Sequence, residues 1–214
     1  MSAVAVVAVR GGPMTKSRLA GRLDSEQREK LVAAMLADML SVLSRCPSVR
    51  RTYVTTPTLA LAQLAMRRGA SVLVEHGADG LNQAFDRARR HVAAADPQAA
   101  VMLLPGDLPR LRADDVEACL AATGPARVIL APADADGGTG ALVLPAGAPL
   151  SLAFGCGSFD KHVTASRASG LEPLVVRAPS LGFDLDAPAD LDAFLALSAS
   201  GVTAALLHEW RVAA

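Results

Sequence analysis

The chain has 214 residues, 51% of them hydrophobic, and its 21 basic and 21 acidic side chains leave no formal net charge; this is enough for one sizeable core and predicts a single domain over residues 1–214. The charge balance argues against a nucleic-acid partner, which would demand a basic excess, and three cysteines, Cys46, Cys119 and Cys156, with no CxxC pair argue against a disulfide framework. No apolar run approaches the roughly 18 residues of a membrane span, and the opening residues carry neither a charged n-region nor a cleavage site, so a cytoplasmic protein is expected.

Ala3 to Val9 is continuously apolar, ends at Arg10-Gly11-Gly12-Pro13, and reads as a central first strand. From Ser25, apolar residues at Leu31, Met35, Met39 and Val42, shadowed by Val32, Leu36, Leu40 and Leu43, recur at helical spacing. Ser25 is the expected cap of this helix and Cys46-Pro47 its end. A strand at Thr52 to Thr55, a helix at Leu59 to Arg68, a strand at Ser71 to Glu75, a helix at Leu81 to Ala95 and a strand at Val101 to Leu104 follow. This alternation predicts an α/β, Rossmann-like, mostly parallel sheet with helices on both faces. The second half is less regular: a helix at Asp114 to Ala122, strands at Arg127 to Ala131 and Ala141 to Leu144, a helix from Ser158 to Ser169 and a strand at Leu174 to Val176. An extended Phe183 to Asp186 and a helix from Pro188 to Leu197 complete it.

Three features carry chemistry. Asp107 stands just past the carboxyl end of the Val101 strand, where open α/β sheets bind ligands, and reads either as a metal ligand or as a polar turn residue between Pro105 and Pro109. Asp184 and Asp186, two apart in an extended segment, project to one side, and paired carboxylates call for a cation or a proton. With Asp107 they form a hard-oxygen set suited to Mg²⁺, although Asp186 alone also reads as the cap of the helix at Pro188. The loop RGGPMTKSRL brings Lys16 and Arg18 to the same edge; Thr15 stands where a Walker loop requires glycine, yet a lysine point charge and an arginine fork still suit a triphosphate. Finally, DGGTGA at Asp136 to Ala141 and FGCGSF at Phe154 to Phe159 allow close backbone approach, with hydroxyls from Thr139 and Ser158 and free N–H groups of a helix starting near Ser158. His76, His91, His162 and His208 show no paired spacing and are expected at the surface or at helix ends.

Six motifs in this order, KSRL at Lys16, DGLNQA at Asp79, GDLPRL at Gly106, DGGTGAL at Asp136, FGCGSFDKH at Phe154 and DLDAPADL at Asp184, span nearly the whole chain. Together they resemble the guanylyltransferases of deazaflavin coenzyme F-420 biosynthesis, which have the nucleotide-diphospho-sugar-transferase fold. The resemblance implies transfer of GMP from GTP to the phosphate of phosphoenolpyruvate or 2-phospho-L-lactate, with release of pyrophosphate and possible hand-over to the downstream transferase of that pathway. It implies that Lys16, Arg18 and Asp107 serve catalysis and that Asp107, Asp184 and Asp186 hold Mg²⁺. Arg10, Lys16, Gly80 and Asn82 would then bind the nucleotide, and Thr139, Gly155 and Ser158 the carboxylate of the acid. The association with a GC-rich actinobacterial branch favours phosphoenolpyruvate. The family commonly has lysine, asparagine and proline where Arg10, Gly140 and Cys156 stand here. A molybdopterin or sugar-phosphate nucleotidyltransferase would carry a longer glycine-rich first loop that Arg10 to Leu19 does not match, and a non-catalytic nucleotide-binding protein would tolerate loss of Lys16 or an aspartate, all of which are present.

Overall fold

A computed structural model of the protein describes residues 3–75, 80–197 and 200–210, so Asp79 of the DGLNQA motif and His76 lie outside the described residues. In chain order the elements are β1 (Ala3–Ala8), α1 (Ser25–Leu43), β2 (Val49–Thr56), α2 (Leu59–Arg67), β3 (Ser71–Val74), α3 (Leu81–Ala95), β4 (Ala100–Pro105) and α4 (Ala113–Ala121). Then follow β5 (Arg127–Pro132), β6 (Thr139–Pro145), α5 (Ser158–Ala168), β7 (Glu172–Val175), α6 (Pro179–Gly182), α7 (Pro188–Leu195) and α8 (Val202–Glu209). The strands form one sheet in the order β3-β2-β1-β4-β6-β5-β7, parallel at every pairing except those of β6.

Period-two alternation sorts the central strands into two cores. Ala5 and Val7 of β1, Met102 and Leu104 of β4, and Ile129 and Ala131 of β5 face one layer together with Leu31, Met35, Met39 and Leu43 of α1 and Leu191 and Phe194 of α7. Val4 and Val6, Val101 and Leu103, and Val128 and Leu130 face the other, with Phe85, Ala88 and Val92 of α3. Both faces are covered, which explains the unbroken apolar runs of β1 and β4.

One sequence expectation is corrected at a helix end, and one helix carries no clear sequence signal. Asp24, not Ser25, caps α1: its carboxylate accepts from the Gln27 N–H at 2.8 Å, and the Gln27 side chain returns a bond to the Asp24 N–H. Helix α8 docks on α1, where the Asp38 carboxylate accepts from the N–H groups of Val202 (2.7 Å) and Thr203 (2.8 Å). The only sequence cue was Gly201 ahead of VTAALLHE, a run too short to stand out.

Reversal of β6 is what matters for the site. Its first residue, Thr139, pairs with Pro132 at the end of β5, and its Leu142 pairs with Leu103 near the end of β4, so the start of β6 joins the carboxyl ends of its parallel neighbours. Two close approaches lock this edge. A Cβ on Gly106 would lie 2.6 Å from Val9 Cβ and 2.9 Å from the Ala8 carbonyl, which draws the chain carrying Asp107 tight against the end of β1. A Cβ on Gly140 would fall 1.6 Å from the Leu181 carbonyl oxygen, so the turn of α6 leans directly on β6 where a side chain would otherwise stand. Replacement Gly140→Ala is expected to lower unfolding stability by about 2–3 kcal/mol in urea titrations, since the obstruction is backbone; an unchanged midpoint would show that α6 is not held against β6.

Candidate active site

Lys16 enters the site in a left-handed backbone conformation (φ 46°), alone among the non-glycine residues described. Arg28 of α1 sets the loop: its guanidinium donates to the carbonyls of Thr15 (3.0 Å), Pro13 (2.9 Å) and Leu23 (2.9 Å). Nothing in the spacing pointed to Arg28, because a helix-face arginine is ordinarily solvated. Leu19, fully buried, anchors the far end of the short turn Ser17–Leu19. A strained backbone pinned at both ends is the usual mark of a residue whose side chain has to be aimed.

The Lys16 side chain is 7% exposed, and its Nζ donates to Asp107 Oδ2 at 2.6 Å and to Asp186 Oδ1 at 3.3 Å. Arg18 Nη1 reaches the other Asp186 oxygen at 2.9 Å from an exposed position. Burial pulls the Lys16 ammonium down, but attraction to Asp107 and then Asp186 outweighs it and holds the pKa above its ordinary value. Breaking a buried pair costs roughly 3–5 kcal/mol because a charge is left uncompensated, whereas an exposed pair such as Arg18 with Asp186 is worth about 0–1 kcal/mol. Lys16 therefore organises the cluster and Arg18 remains available.

The aspartates are brought together by backbone. Leu185 is fully buried and its N–H donates to the Asp107 carbonyl at 3.1 Å, which places Asp184 and Asp186 on either side of that bond with both lining the same cleft as Asp107. Asp186 does not cap α7: Asp190 does, accepting from the N–H groups of Asp186 (3.0 Å) and Ala187 (2.7 Å), and Asp186 is thereby free to face Lys16. Burial first, and then the nearby Asp107 charge, push the Asp184 carboxyl up to about 6. Asp107 Oδ1 is buried and has no hydrogen-bond partner. Among the described residues no three His, Cys, Asp or Glu side chains converge as a metal-holding group, and both Asp186 oxygens face cations.

This cleft, about 200 Å³, is lined also by Thr139, Gly140, Phe154 and Gly155. A second hollow of about 240 Å³, lined by Arg10 and Lys16, adjoins it across Asp107 and Asp186. A larger groove beside α3 lies apart from these groups; its Arg89 and Arg90 are already paired with Asp86.

Other expected residues take different positions. Arg10 is half-exposed and tied at 3.1 Å to the buried Glu75, whose second oxygen accepts from Thr55. Gly80 leads into α3. Asn82 clamps the glycine loop: its amide accepts from the Phe154 N–H at 2.6 Å and donates to the Phe154 carbonyl at 3.1 Å. Ser158 is fully buried behind Thr139 and donates to its hydroxyl at 3.0 Å. The free N–H groups expected from sequence at the start of α5 are in fact engaged, since those of Gly157, Ser158 and Phe159 donate to the carbonyls of Asp136, Gly155 and Gly137. His162, expected at the surface or at a helix end, lies within α5 and is fully buried in contact with Thr139.

The family described as guanylyl transferase, CofC like, matches residues 3–211. A 3-phospho-D-glycerate guanylyltransferase of Phenylobacterium zucineum is 46% identical over 190 residues, covering 88% of this chain and 87% of that one. A phosphoenolpyruvate guanylyltransferase of Sphaerobacter thermophilus is 35% identical over 192 residues, covering 90% and 92%. In fold, the chain is similar to a nucleotidyl transferase from Methanothermobacter (TM-score 0.69, 16% identity, 90% and 95% covered). It is also similar to a Desulfovibrio desulfuricans G20 protein described as a nucleotide-diphospho-sugar transferase (TM-score 0.79, 19% identity, 98% and 95% covered). A reversed strand that carries Thr139 to an edge already holding Lys16 and three aspartates, in a sequence matched from end to end, has one reading: the chain belongs to the CofC-like guanylyl transferase family and is a nucleotidyltransferase.

Proposed function

We propose that the protein transfers GMP from GTP to the phosphate of phosphoenolpyruvate and releases pyrophosphate. The observation that carries this reading is Lys16 Nζ held between Asp107 and Asp186 beside an unpartnered, buried Asp107 oxygen. An oxygen of the acceptor phosphate attacks the α-phosphorus of GTP, a new P–O bond forms, and the bond to the β-phosphate oxygen breaks with pyrophosphate leaving. The acceptor phosphate has a second pKa near 6 and is largely ionised at neutral pH, so no general base is required. The obstacle is repulsion between two anionic phosphates, which Lys16 and Arg18 reduce by lying along the triphosphate.

Mg²⁺ fits the donors present: the orphaned Asp107 oxygen and the Asp184 carboxylate beside it are hard ligands whose mutual repulsion a divalent cation relieves. Asp107 and Asp184 would hold it, with Asp186 joining the set when Lys16 and Arg18 turn to phosphate. When bound, the cation neutralises phosphate charge and keeps attack and departure in line. Arg10 and Gly80 are assigned to the nucleotide side and Thr139 and Gly155 to the acid, with Asn82 and Ser158 supporting them through the contacts described. The product joins the two phosphates through a labile phosphoanhydride, which suits direct hand-over to a downstream transferase in the cytoplasm.

A second reading has its own support. The 46% identical relative carries the name 3-phospho-D-glycerate guanylyltransferase, and that acid, like 2-phospho-L-lactate, shares the phosphate and carboxylate that the site would address. Pyrophosphate release from GTP, measured separately with phosphoenolpyruvate, 3-phospho-D-glycerate and 2-phospho-L-lactate, is expected to be highest with phosphoenolpyruvate and to stop on chelation of Mg²⁺. A tenfold preference for 3-phospho-D-glycerate would replace the acceptor, and release with none of the three would overturn the reading. Substitution Lys16→Met or Asp107→Asn is expected to lower kcat/KM by roughly 100-fold or more, as loss of a charge-stabilising group in a preorganised site does; a loss under threefold would remove that residue from the chemistry.

A further inference from the structure

His162 projects from α5 into the interior and has no exposure, an uncommon place for an imidazole with no charged partner. Its two nitrogens have unequal neighbours. The Ala153 N–H points at Nε2 at 2.9 Å, and because a backbone N–H only donates, Nε2 must be the acceptor. The ring proton is then on Nδ1, 2.9 Å from the Thr139 hydroxyl oxygen, and donates to it. Ser158 Oγ lies 3.0 Å from the same oxygen. Ser158 is wholly buried, so its proton has to be directed to Thr139, whereas Thr139 lines the cleft and can direct its own proton there. Both lone pairs of the Thr139 oxygen are therefore filled, and only its O–H remains.

We infer that His162 is a positioning residue that, with Ser158, turns Thr139 into a hydroxyl able only to donate, presented to an anionic oxygen of the acceptor acid. The inference rests on the proposed reading for the identity of that acid, but the polarity follows from the hydrogen-bond chain. Such a hydroxyl favours an ionised carboxylate and disfavours an amide N–H or a protonated acid at the same place, because two donors would face each other. Burial, and then Lys161, lower the His162 pKa to about 4, consistent with a neutral ring. Phe154 packs edge-on to the imidazole with ring centroids 4.9 Å apart, and Asn82 holds Phe154 in turn, so the ring plane is fixed from the glycine loop as well.

The test combines spectroscopy with kinetics. In uniformly ¹⁵N-histidine-labelled protein the His162 ring is expected as the Nδ1–H tautomer at neutral pH, and an Nε2–H tautomer or an imidazolium would overturn the inference whatever the acceptor proves to be. His162→Gln keeps an acceptor for Ala153 but removes the Nδ1 donor, and is expected to raise KM for the acid about tenfold, the scale of one lost hydrogen bond to a charged group, with KM for GTP within twofold. His162→Asn keeps a donor near Nδ1 and should recover most of that loss. In a Thr139→Val background the Gln substitution should add nothing further. Equal changes in both KM values, no recovery by Asn, or additive effects of the two substitutions would make His162 merely structural. If the wild type turned over none of the acids, the functional reading would fail while the tautomer still decided the polarity.

Discussion

Carboxylate repulsion at the sheet edge is the constraint on which the rest depends. Three aspartates reach one cleft because Leu185 hydrogen-bonds to the Asp107 carbonyl and sets Asp184 and Asp186 on either side. A fold would avoid this arrangement unless something positive occupied it. Lys16 supplies that charge from a strained loop, and its burial makes the pairing strong enough to matter where the exposed Arg18 pair is not.

The edge itself is built by side chains bonded to backbone groups. Arg28 gathers three carbonyls of the Lys16 loop, Asp190 caps α7 and leaves Asp186 free, and Asn82 grips Phe154 through both backbone groups. On the opposite wall, β6 runs against its neighbours so that its first residue, Thr139, joins their carboxyl ends, and the Leu181 carbonyl packs in the space that a Gly140 side chain would fill. Fixing of this kind counts because errors of about 1 Å in the relative placement of reacting groups can cost about 100-fold in rate.

Much of this was legible in sequence. The apolar runs of β1 and β4 are continuous because both faces of the sheet are covered, and the paired aspartates project together because a two-residue repeat in extended chain leaves no other choice. What was not legible depends on contacts between distant segments. A buried histidine looks like a surface one until Ala153 and Thr139 meet it, and a helix N-terminus looks open until the glycine-loop carbonyls close it. Asn82 illustrates the same limit: nothing in its motif showed that its amide would bond both backbone groups of Phe154, 72 residues away. Caps were misplaced by one residue at α1 and reassigned at α7 because Ser and Asp near a helix start compete for one role.

The central claim is that the Asp107 and Asp184 carboxylates and Lys16 form the place where cation and triphosphate meet. Anomalous diffraction from crystals soaked with Mn²⁺ and a non-hydrolysable GTP analogue tests it most directly. A manganese peak within coordination distance, about 2.1 Å, of Asp107 Oδ1 and an Asp184 oxygen, with Lys16 turned to phosphate, is the predicted result. A peak remote from these carboxylates, with Lys16 still clasped between Asp107 and Asp186 in the nucleotide complex, would contradict it.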